Sequence, residues 1–281
     1  MTDHEYDQTT PGGVYLCQTG ESMSCGACCG LYNVFDPSFE SLSAMLRTRT
    51  DFFRKTPRDY ESLVAFKEQV EAMENQDRPY PEFHHCPYLG FVDETLARPG
   101  CLLHPLNTGN HGVDHRGLSE WGGLACATYF CPTCGKLPVR YKKILRMASP
   151  DWYIYGLVIP ETEMLAAFFS LIETRLSGEL DDQMVSENPG FLQAVRAFFD
   201  LKSTWPFRPR PFNRHANYFF NDGLYPRTPV DYERLKTDPS PMDPIFTALG
   251  SEFSTRQELE SAENLVAQII DTAVSALTSK T

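Results

Sequence analysis

The sequence has 281 residues, of which 42% are hydrophobic and 22% are charged, and these fractions exclude a wholly disordered chain. Its 25 basic and 37 acidic residues give a formal net charge of −12, which argues against broad binding to nucleic acid or to an anionic membrane. The N-terminal residues are acidic and lack an apolar run, so we expect no secretory signal and a soluble, cytoplasmic protein.

Three regions follow one another along the chain. Residues 1–13 end in Pro-Gly-Gly and are expected to form a flexible tail. Residues 14–148 contain every cysteine and form the predicted metal-binding region, which two helices interrupt. Residues 149–281 show mainly helical periodicity. No linker-like stretch separates these last two regions, so we expect them to share one hydrophobic core.

Helix starts are marked by residues that cap an N-terminus. Ser38 and Asp59 are such residues, and apolar side chains follow each of them at helical spacing. Later in the chain the predicted starts are Ser149-Pro150-Asp151, Pro160-Glu161, Asn188-Pro189 and Ser254 or Thr255. The helix from Pro160 is expected to run to Leu176 and to end at Gly178. The predicted fold is therefore mainly α, with an irregular, metal-stapled, cysteine-rich N-terminal half packed against a helical C-terminal half.

The nine cysteines all lie in the first half of the sequence. An odd number of cysteines in a chain without a secretory signal favours metal ligation over a disulfide framework. The first group is Cys25-Gly-Ala-Cys28-Cys29, in which Gly26 allows a tight turn that brings Cys25 and Cys28 to one metal. Because adjacent side chains diverge, Cys28 and Cys29 are expected to serve different metals or different corners of a cluster.

The later cysteines are spread over Cys86-Pro87, Gly100-Cys101 and Cys126-x4-Cys131-Pro132-x-Cys134. A proline after a cysteine stiffens the loop and removes a competing donor. The candidate metal ligands are Cys25, Cys28, Cys29, Cys86, Cys101, Cys126 and Cys131. This set is too large for one tetrahedral zinc and suits two metal sites or an iron–sulfur cluster such as 4Fe–4S. The sequence leaves Cys17, Cys134 and His104 open as ligands, and the alternative is that several cysteines are ordinary buried side chains.

The ordered cysteine pattern resembles that of the YkgJ-type cysteine-cluster family over roughly residues 22–132. The matching elements are Cys25-x2-Cys28-Cys29, Cys86-Pro-Tyr-Leu, Gly-Cys101-Leu-Leu-His-Pro and Cys126-x4-Cys131-Pro. The resemblance implies a zinc- or iron-chelating domain, and the flagellin lysine N-methylases carry a similar cluster. Ser22 stands where the family has its first cysteine, and the closing pair, Cys126 and Cys131, is more widely spaced than in the family.

The stretch from His104 to Trp121 is dense in polar side chains and glycines, and it lies between two of the cysteine elements. Its candidate substrate-binding residues are His111, Asp114, His115 and Arg116. Because functional residues concentrate on loops that a rigid scaffold positions, we expect this loop to be the part of the protein that faces a substrate. The alternative is a solvated loop with hydrogen-bonded histidines.

The leading functional hypothesis is a cytoplasmic metal-binding protein that holds zinc, iron or an iron–sulfur cluster through cysteine thiolates. One rival is a metal-dependent enzyme, of methyl-transfer or redox chemistry, that uses residues 104–121. Another rival is a carrier that delivers metal. The expected partners are a metal ion and an unidentified small molecule or protein, with no nucleic acid and no membrane. The sequence lacks the P-loop, dinucleotide-binding, zincin and nucleophile-elbow motifs, which makes those enzyme classes poor candidates.

Overall fold

The computed structural model of the protein describes residues 3–19, 23–81, 83–209 and 227–279. It contains 55% helix and 4% strand, which confirms the predicted mainly α class. The helices are α1 (Asp3–Thr9), α2 (Phe39–Lys55), α3 (Tyr60–Met73), α4 (Gly122–Thr128), α5 (Pro132–Lys136), α6 (Val139–Ala148), α7 (Trp152–Val158), α8 (Thr162–Leu176), α9 (Asp182–Ser186), α10 (Pro189–Thr204), α11 (Tyr232–Leu235), α12 (Asp243–Ala248) and α13 (Arg256–Thr278). The strands are β1 (Gln18–Thr19), β2 (Met23–Ser24), β3 (Leu89–Phe91) and β4 (Pro99–Cys101), and short 3-10 helices cover Ala27–Cys29 and Arg116–Leu118.

The capping residues lie where the sequence predicts helix starts. Each of five side chains accepts a hydrogen bond from the backbone N–H three residues further along, which satisfies a donor at the helix end. These residues are Ser38, Asp59, Asp151, Asn188 and Thr255. At the Ser149-Pro150-Asp151 start, Asp151 and not Ser149 is therefore the cap. At the end of α8, Ser177 and not Gly178 adopts the left-handed conformation, with φ 53°.

The N-terminal segment, for which the sequence predicts a flexible tail, makes several contacts with the rest of the chain. Residues 3–9 form α1, and the Asp7 carboxylate accepts hydrogen bonds from Arg146 of α6 at 2.9 and 3.0 Å. The same carboxylate accepts one from the backbone N–H of Tyr15 at 2.7 Å. Further along, Lys142 donates to the carbonyl oxygen of Gly12 at 2.6 Å. These contacts from α6 hold the segment against the rest of the chain.

One hydrophobic core contains residues from both the cysteine-rich and the helical region. Helix α7, whose residues are all buried, is at the junction. Tyr32 donates from its hydroxyl to the carbonyl of Tyr153 at 2.9 Å, and Tyr155 donates to the carbonyl of Leu16 at 2.9 Å. The phenol groups therefore satisfy buried carbonyls at the point where the two regions meet. The two regions pack as parts of one unit around α7.

No single helix in the described part of the chain is long and apolar enough to cross a membrane. Helices α7 and α8 meet that length and composition only as a pair, and the pair is bent by 91°. Both helices contribute buried residues to the core described above.

Candidate metal centre

A short antiparallel hairpin positions the first two cysteines. Strands β1 and β2 pair with Gln18 opposite Ser24, so Cys17 and Cys25 flank the open end of the hairpin. The backbone N–H of Cys25 donates to the carbonyl oxygen of Cys17 at 2.8 Å. This register brings together two cysteines that the sequence does not obviously relate, and it gives Cys17 the same surroundings as Cys25.

A tight turn carries the vicinal cysteines. Residues 27–29 form a 3-10 helix that Gly30 closes in the left-handed conformation, with φ 76°. A Cβ atom at Gly30 would overlap the carbonyl oxygen of His84, so only glycine permits this approach. The backbone N–H of Cys86 then donates to the carbonyl oxygen of Cys29 at 2.9 Å. The turn is thereby joined to the segment that contains the next cysteine.

A second hairpin brings Cys101 to the same place. Strand β3 pairs with β4 so that Leu89 lies opposite Cys101, and the backbone N–H of Leu102 donates to the carbonyl of Tyr88 at 2.9 Å. Cys86 lies three residues before β3, and Cys101 is the last residue of β4, opposite the first residue of β3. The antiparallel return of the chain therefore places the two thiols near each other.

The last three cysteines lie on two short helices. Cys126 is in α4, is exposed, and has its Sγ atom 3.0 Å from the Ser119 hydroxyl. Cys131 caps the N-terminus of α5, and its Sγ atom is 4.0 Å from that of Cys134 one turn later. The hydrogen bond from Cys134 lowers the pKa of Cys131 to about 7.

We call the first set of neighbouring thiols the inner cysteine group: Cys17, Cys25, Cys28 and Cys131. Together these cysteines line a cavity of about 20 Å³, and the other lining residues are Leu16, Ala27, Tyr129, Ile159 and Pro160. Burial, followed by the neighbouring thiolates of Cys28, Cys131 and Cys25, raises the pKa of Cys17 well above its ordinary value. Burial, followed by the thiolates of Cys28 and Cys131, likewise raises the pKa of Cys25 well above its ordinary value.

The second set of neighbouring thiols is the outer cysteine group: Cys29, Cys86, Cys101 and Cys126. Burial raises the pKa of Cys86 to about 12, and the thiolate of Cys126 contributes to the increase. Burial, followed by Cys86 and Cys126, also raises the pKa of Cys101. A hydrogen bond with Cys28, then burial, and then Cys86 and Cys101 among nearby thiolates raise that of Cys29. The backbone hydrogen bond from Cys86 to Cys29 joins two members of this group, and the Cys28 thiol also contributes to the raised pKa values of Cys29 and Cys86.

The vicinal pair separates the two groups. Cys28 lines the cavity of the inner cysteine group, whereas Cys29 is joined through its backbone to Cys86. All seven predicted ligands fall into one group or the other, and Cys17 makes the eighth member. Cys134 is fully buried and does not line the cavity. Ser22, where the family pattern has a cysteine, lies outside the described residues.

A cation would change the chemistry of both groups. Thiolates are the form that binds metal. Without a cation, burial and neighbouring thiolates favour the neutral thiols of Cys17, Cys25, Cys29, Cys86 and Cys101. In the described part of the chain, no three His, Cys, Asp or Glu side chains converge as they would around a bound ion. Side-chain rotation toward an ion would therefore have to accompany metal binding, a coupling that is common at metal sites.

The loop of residues 104–121 brings only some of its candidate residues together. Asp114 accepts from Arg116 at 2.8 and 2.6 Å, and this hydrogen bonding lowers the pKa of Asp114 to about 2. The hydrogen bond with Asp114, followed by the thiolates of Cys101 and Cys126, raises the pKa of Arg116, and its Nη1 atom donates to the carbonyl oxygen of Cys126 at 3.4 Å. The guanidinium is therefore beside the outer cysteine group.

The histidines of this loop do not join that pair. His111 is exposed and adopts a left-handed conformation with φ 51°. The Nε2 atom of His115 is buried and has no hydrogen-bond partner among the described residues. The Nδ1 atom of His104 accepts a hydrogen bond from the backbone N–H of Leu106 at 3.1 Å. Of the four predicted substrate-binding residues, the structure pairs only Asp114 and Arg116.

A buried polar network supports Cys86, and sequence reasoning missed it. Arg49 donates to the carbonyl of Cys86 at 2.9 Å, to the Glu74 carboxylate at 2.6 and 2.5 Å, and lies 2.7 Å from the Nε2 atom of His85. The Nδ1 atom of His85 is 2.7 Å from the carbonyl oxygen of Gly30. The arginine can only donate, so His85 is neutral with its proton on Nδ1. Burial, followed by Arg49, lowers its pKa well below the ordinary value.

The chain matches no family model, no curated protein and no solved structure. The resemblance to the YkgJ-type family therefore depends on the residue pattern alone.

Proposed function

We propose that the protein binds two metal ions, one through the inner and one through the outer cysteine group. The observation that carries this proposal is the cavity of about 20 Å³ lined by four cysteines from three separate segments of the chain. Isolated buried cysteines pack as small hydrophobic side chains and have no reason to gather in fours. Four thiolates are a complete ligand set for a tetrahedral metal.

Zinc is the ion that the inner cysteine group fits best. A cavity of roughly 10–15 Å³ accepts one water molecule, so about 20 Å³ is space for a single ion. A 4Fe–4S cluster contains four iron and four sulfide atoms and needs far more room. Thiolate sulfur is also a preferred zinc ligand, at a Zn–S distance of about 2.3 Å. The inner ion would then be a structural one, closed off by four protein ligands.

The outer cysteine group supports a second candidate role, as an accessible metal site. Its member Cys126 is exposed, and the Arg116 guanidinium is beside it. A catalytic zinc keeps one position for water or substrate, and a carrier presents its thiolates to a partner. The exposure of Cys126 favours both of these roles for the outer group over the inner one, and a catalytic role requires that Cys126 leave its position on the metal to water or substrate. The site would hold its metal through thiolates, and the metal would act there as a Lewis acid.

Metal analysis of the purified chain, together with an anaerobic absorption spectrum, tests the proposal. We expect about two zinc ions per chain and no visible absorption band. Cys17→Ala and Cys126→Ala should each remove one ion, from the inner and the outer group respectively. Cys134→Ala is the matched control, because Cys134 is buried but does not line the cavity, and it should retain both ions.

Three results would contradict the proposal. A chain that is free of metal after purification and that takes up none from added zinc would show that the cysteines are ordinary buried residues. A visible absorption band together with iron and sulfide would show that the cysteines hold an iron–sulfur cluster and not zinc. Loss of both ions in Cys134→Ala would show that this cysteine is itself a ligand.

A further inference from the structure

Cys134 is the cysteine that neither metal-binding group uses. Its Sγ atom lies 4.0 Å from that of Cys131, whereas the inner cavity is lined by Cys131 alone of these two. The two residues form a Cys-Pro-Thr-Cys sequence that spans the first turn of α5. Cys131 therefore lies beside two sets of thiols: the other members of the inner cysteine group and the thiol of Cys134.

Two hydrogen bonds made by its backbone groups fix the position of Cys134 relative to Cys131. Its N–H donates to the carbonyl oxygen of Cys131 at 2.9 Å, and its own carbonyl accepts from the buried Lys142 at 2.6 Å. Cys131 is partly exposed, whereas Cys134 is fully buried. A small oxidant can therefore reach Cys131 first, and the buried thiol is positioned to react second.

We infer that Cys131 and Cys134 form a reversible disulfide and that this oxidation releases the metal ion from the inner cysteine group. The release of the ion rests on the proposed function, whereas the disulfide does not. Residues three apart in a helical turn have Cβ atoms about 5–6 Å apart, so a modest local adjustment brings the sulfur atoms into bonding range.

The oxidant is a low-molecular-weight disulfide such as glutathione disulfide. The Cys131 thiolate attacks one of its sulfur atoms, a mixed disulfide forms, and the first glutathione thiolate leaves. Cys134 then attacks the Cys131 sulfur, transfers its thiol proton to a glutathione thiolate, and displaces the second glutathione. Two protein sulfurs are oxidised and one glutathione disulfide is reduced to two glutathione molecules.

Loss of Cys131 leaves three thiolates in the inner cysteine group. Three ligands hold zinc less tightly than four, and the remaining thiolates take up protons when the ion departs. Cys134 cannot take the place of Cys131, because it is consumed in the same bond. The pair would therefore couple the redox state of the cell to occupancy of the inner site.

The test uses the full-length, zinc-loaded protein treated with glutathione disulfide, with zinc release read by a chromogenic chelator. Peptide mapping without reduction should find one disulfide, between Cys131 and Cys134, and about one of two zinc ions should be released. A dithiol reductant should reverse both changes. Cys134→Ala should release zinc at least about tenfold more slowly, because a mixed disulfide without a resolving thiol reverts. Cys17→Ala, which lacks the inner ion, should lose this release of zinc.

The outcomes separate this inference from the proposed function. A disulfide that maps to other cysteines, or wild-type release rates in both Cys134→Ala and Cys134→Ser with native circular dichroism, would overturn the inference. Absence of zinc before oxidation would overturn the proposed function instead. Peptide mapping of the metal-free chain would then still decide whether Cys131 and Cys134 form the disulfide.

Discussion

The backbone N–H of Cys86 donates to the carbonyl oxygen of Cys29 at 2.9 Å, and this bond joins the second cysteine segment to the first. It places Cys86 beside Cys29, whereas the side chain of Cys28 lines the inner cavity. The two members of the vicinal pair therefore contact each other through a hydrogen bond, but only Cys28 lines the inner cavity and only Cys29 accepts from the backbone of Cys86.

This division predicts separate effects for the two vicinal cysteines. Cys28→Ala should remove the inner ion alone and Cys29→Ala the outer ion alone, so each variant keeps about one zinc per chain. The double variant should keep none. Elemental analysis of the purified variants measures the metal content. Loss of both ions from either single variant would show that the cysteines form one cluster and not two sites.

Gly30 should be far more sensitive to substitution than a glycine of similar backbone conformation. Gly30→Ala introduces strain at φ 76° and an overlap with the His84 carbonyl, so it should destabilise the fold by about 3 kcal/mol or more and weaken the outer site. Gly13→Ala is the matched control, since Gly13 has φ 73° but no atom near the new Cβ. It should cost about 1 kcal/mol. Urea unfolding measures both, and equal losses would show that the close approach to His84 carries no energy.

The helix starts could be predicted from the sequence because a cap depends on residues three positions apart. Asp59 accepts a hydrogen bond from the backbone N–H of Ser62, as such a residue before an apolar run usually does. Such a cap depends only on a short stretch of chain, where local geometry determines the outcome. The expectation that Cys28 and Cys29 serve different metals stays a prediction.

The grouping of the cysteines depends on contacts between distant segments, which no local pattern encodes. Cys17 joins the inner cysteine group through the register of the first hairpin, and Arg49 reaches Cys86 from another helix. The contacts of residues 3–13, for which the sequence predicts a flexible tail, also depend on distant segments. Lys142 donates to the Gly12 carbonyl within the Pro-Gly-Gly stretch, and Arg146 donates to the Asp7 carboxylate.

Removal of metal should lower the thermal stability of the whole chain, because the cysteine-rich region shares its core with the helices. A loss of about 5 kcal/mol corresponds to a decrease in melting temperature of roughly 10–20 °C for a protein of this size class. Thermal unfolding with and without a strong chelator measures the change, and Cys134→Ala should show the same decrease. An unchanged melting temperature after complete metal removal would show that the ions do not support the fold.

Glu161 should make stability depend on pH. Its carboxylate is 2% exposed and pairs with Lys202 and Arg227 at 2.5 Å each. Burial raises the pKa of Glu161, but Arg227 and Lys202 outweigh it, and the pKa lies below its ordinary value of 4.5. A lowered pKa contributes stability that is present above pH 4.5 and is lost as the pH falls through the folded pKa.

Glu161→Gln should therefore destabilise the protein by about 3–5 kcal/mol at pH 7, because it leaves the buried Lys202 and the partly buried Arg227 without their counter-charge. The difference from wild type should shrink as the pH falls below 4.5. Glu260→Gln is the control, since Glu260 forms an exposed pair with Arg256 and should change stability by less than about 1 kcal/mol. Urea unfolding at several pH values measures both variants. A difference for Glu161→Gln that does not vary with pH would show that the carboxylate does not titrate in this range.

Arg116 should slow the loss of metal from the outer cysteine group. A zinc ion with four thiolates carries a net charge of about −2, and the guanidinium near Cys101 and Cys126 offsets part of it. Arg116→Ala should therefore speed transfer of the outer ion to a chelator by about twofold to fivefold, an effect of the size expected for a partly exposed charge.

Asp114→Asn is the matched control, because it removes the carboxylate that pairs with Arg116 and leaves the guanidinium to interact with the thiolates. Transfer of the outer ion should therefore slow or stay the same in this variant. The rate for the inner ion should be unaffected in both variants. If Arg116→Ala and Asp114→Asn speed the transfer equally, the pair acts as a structural brace for the loop and the charge of Arg116 is not the cause.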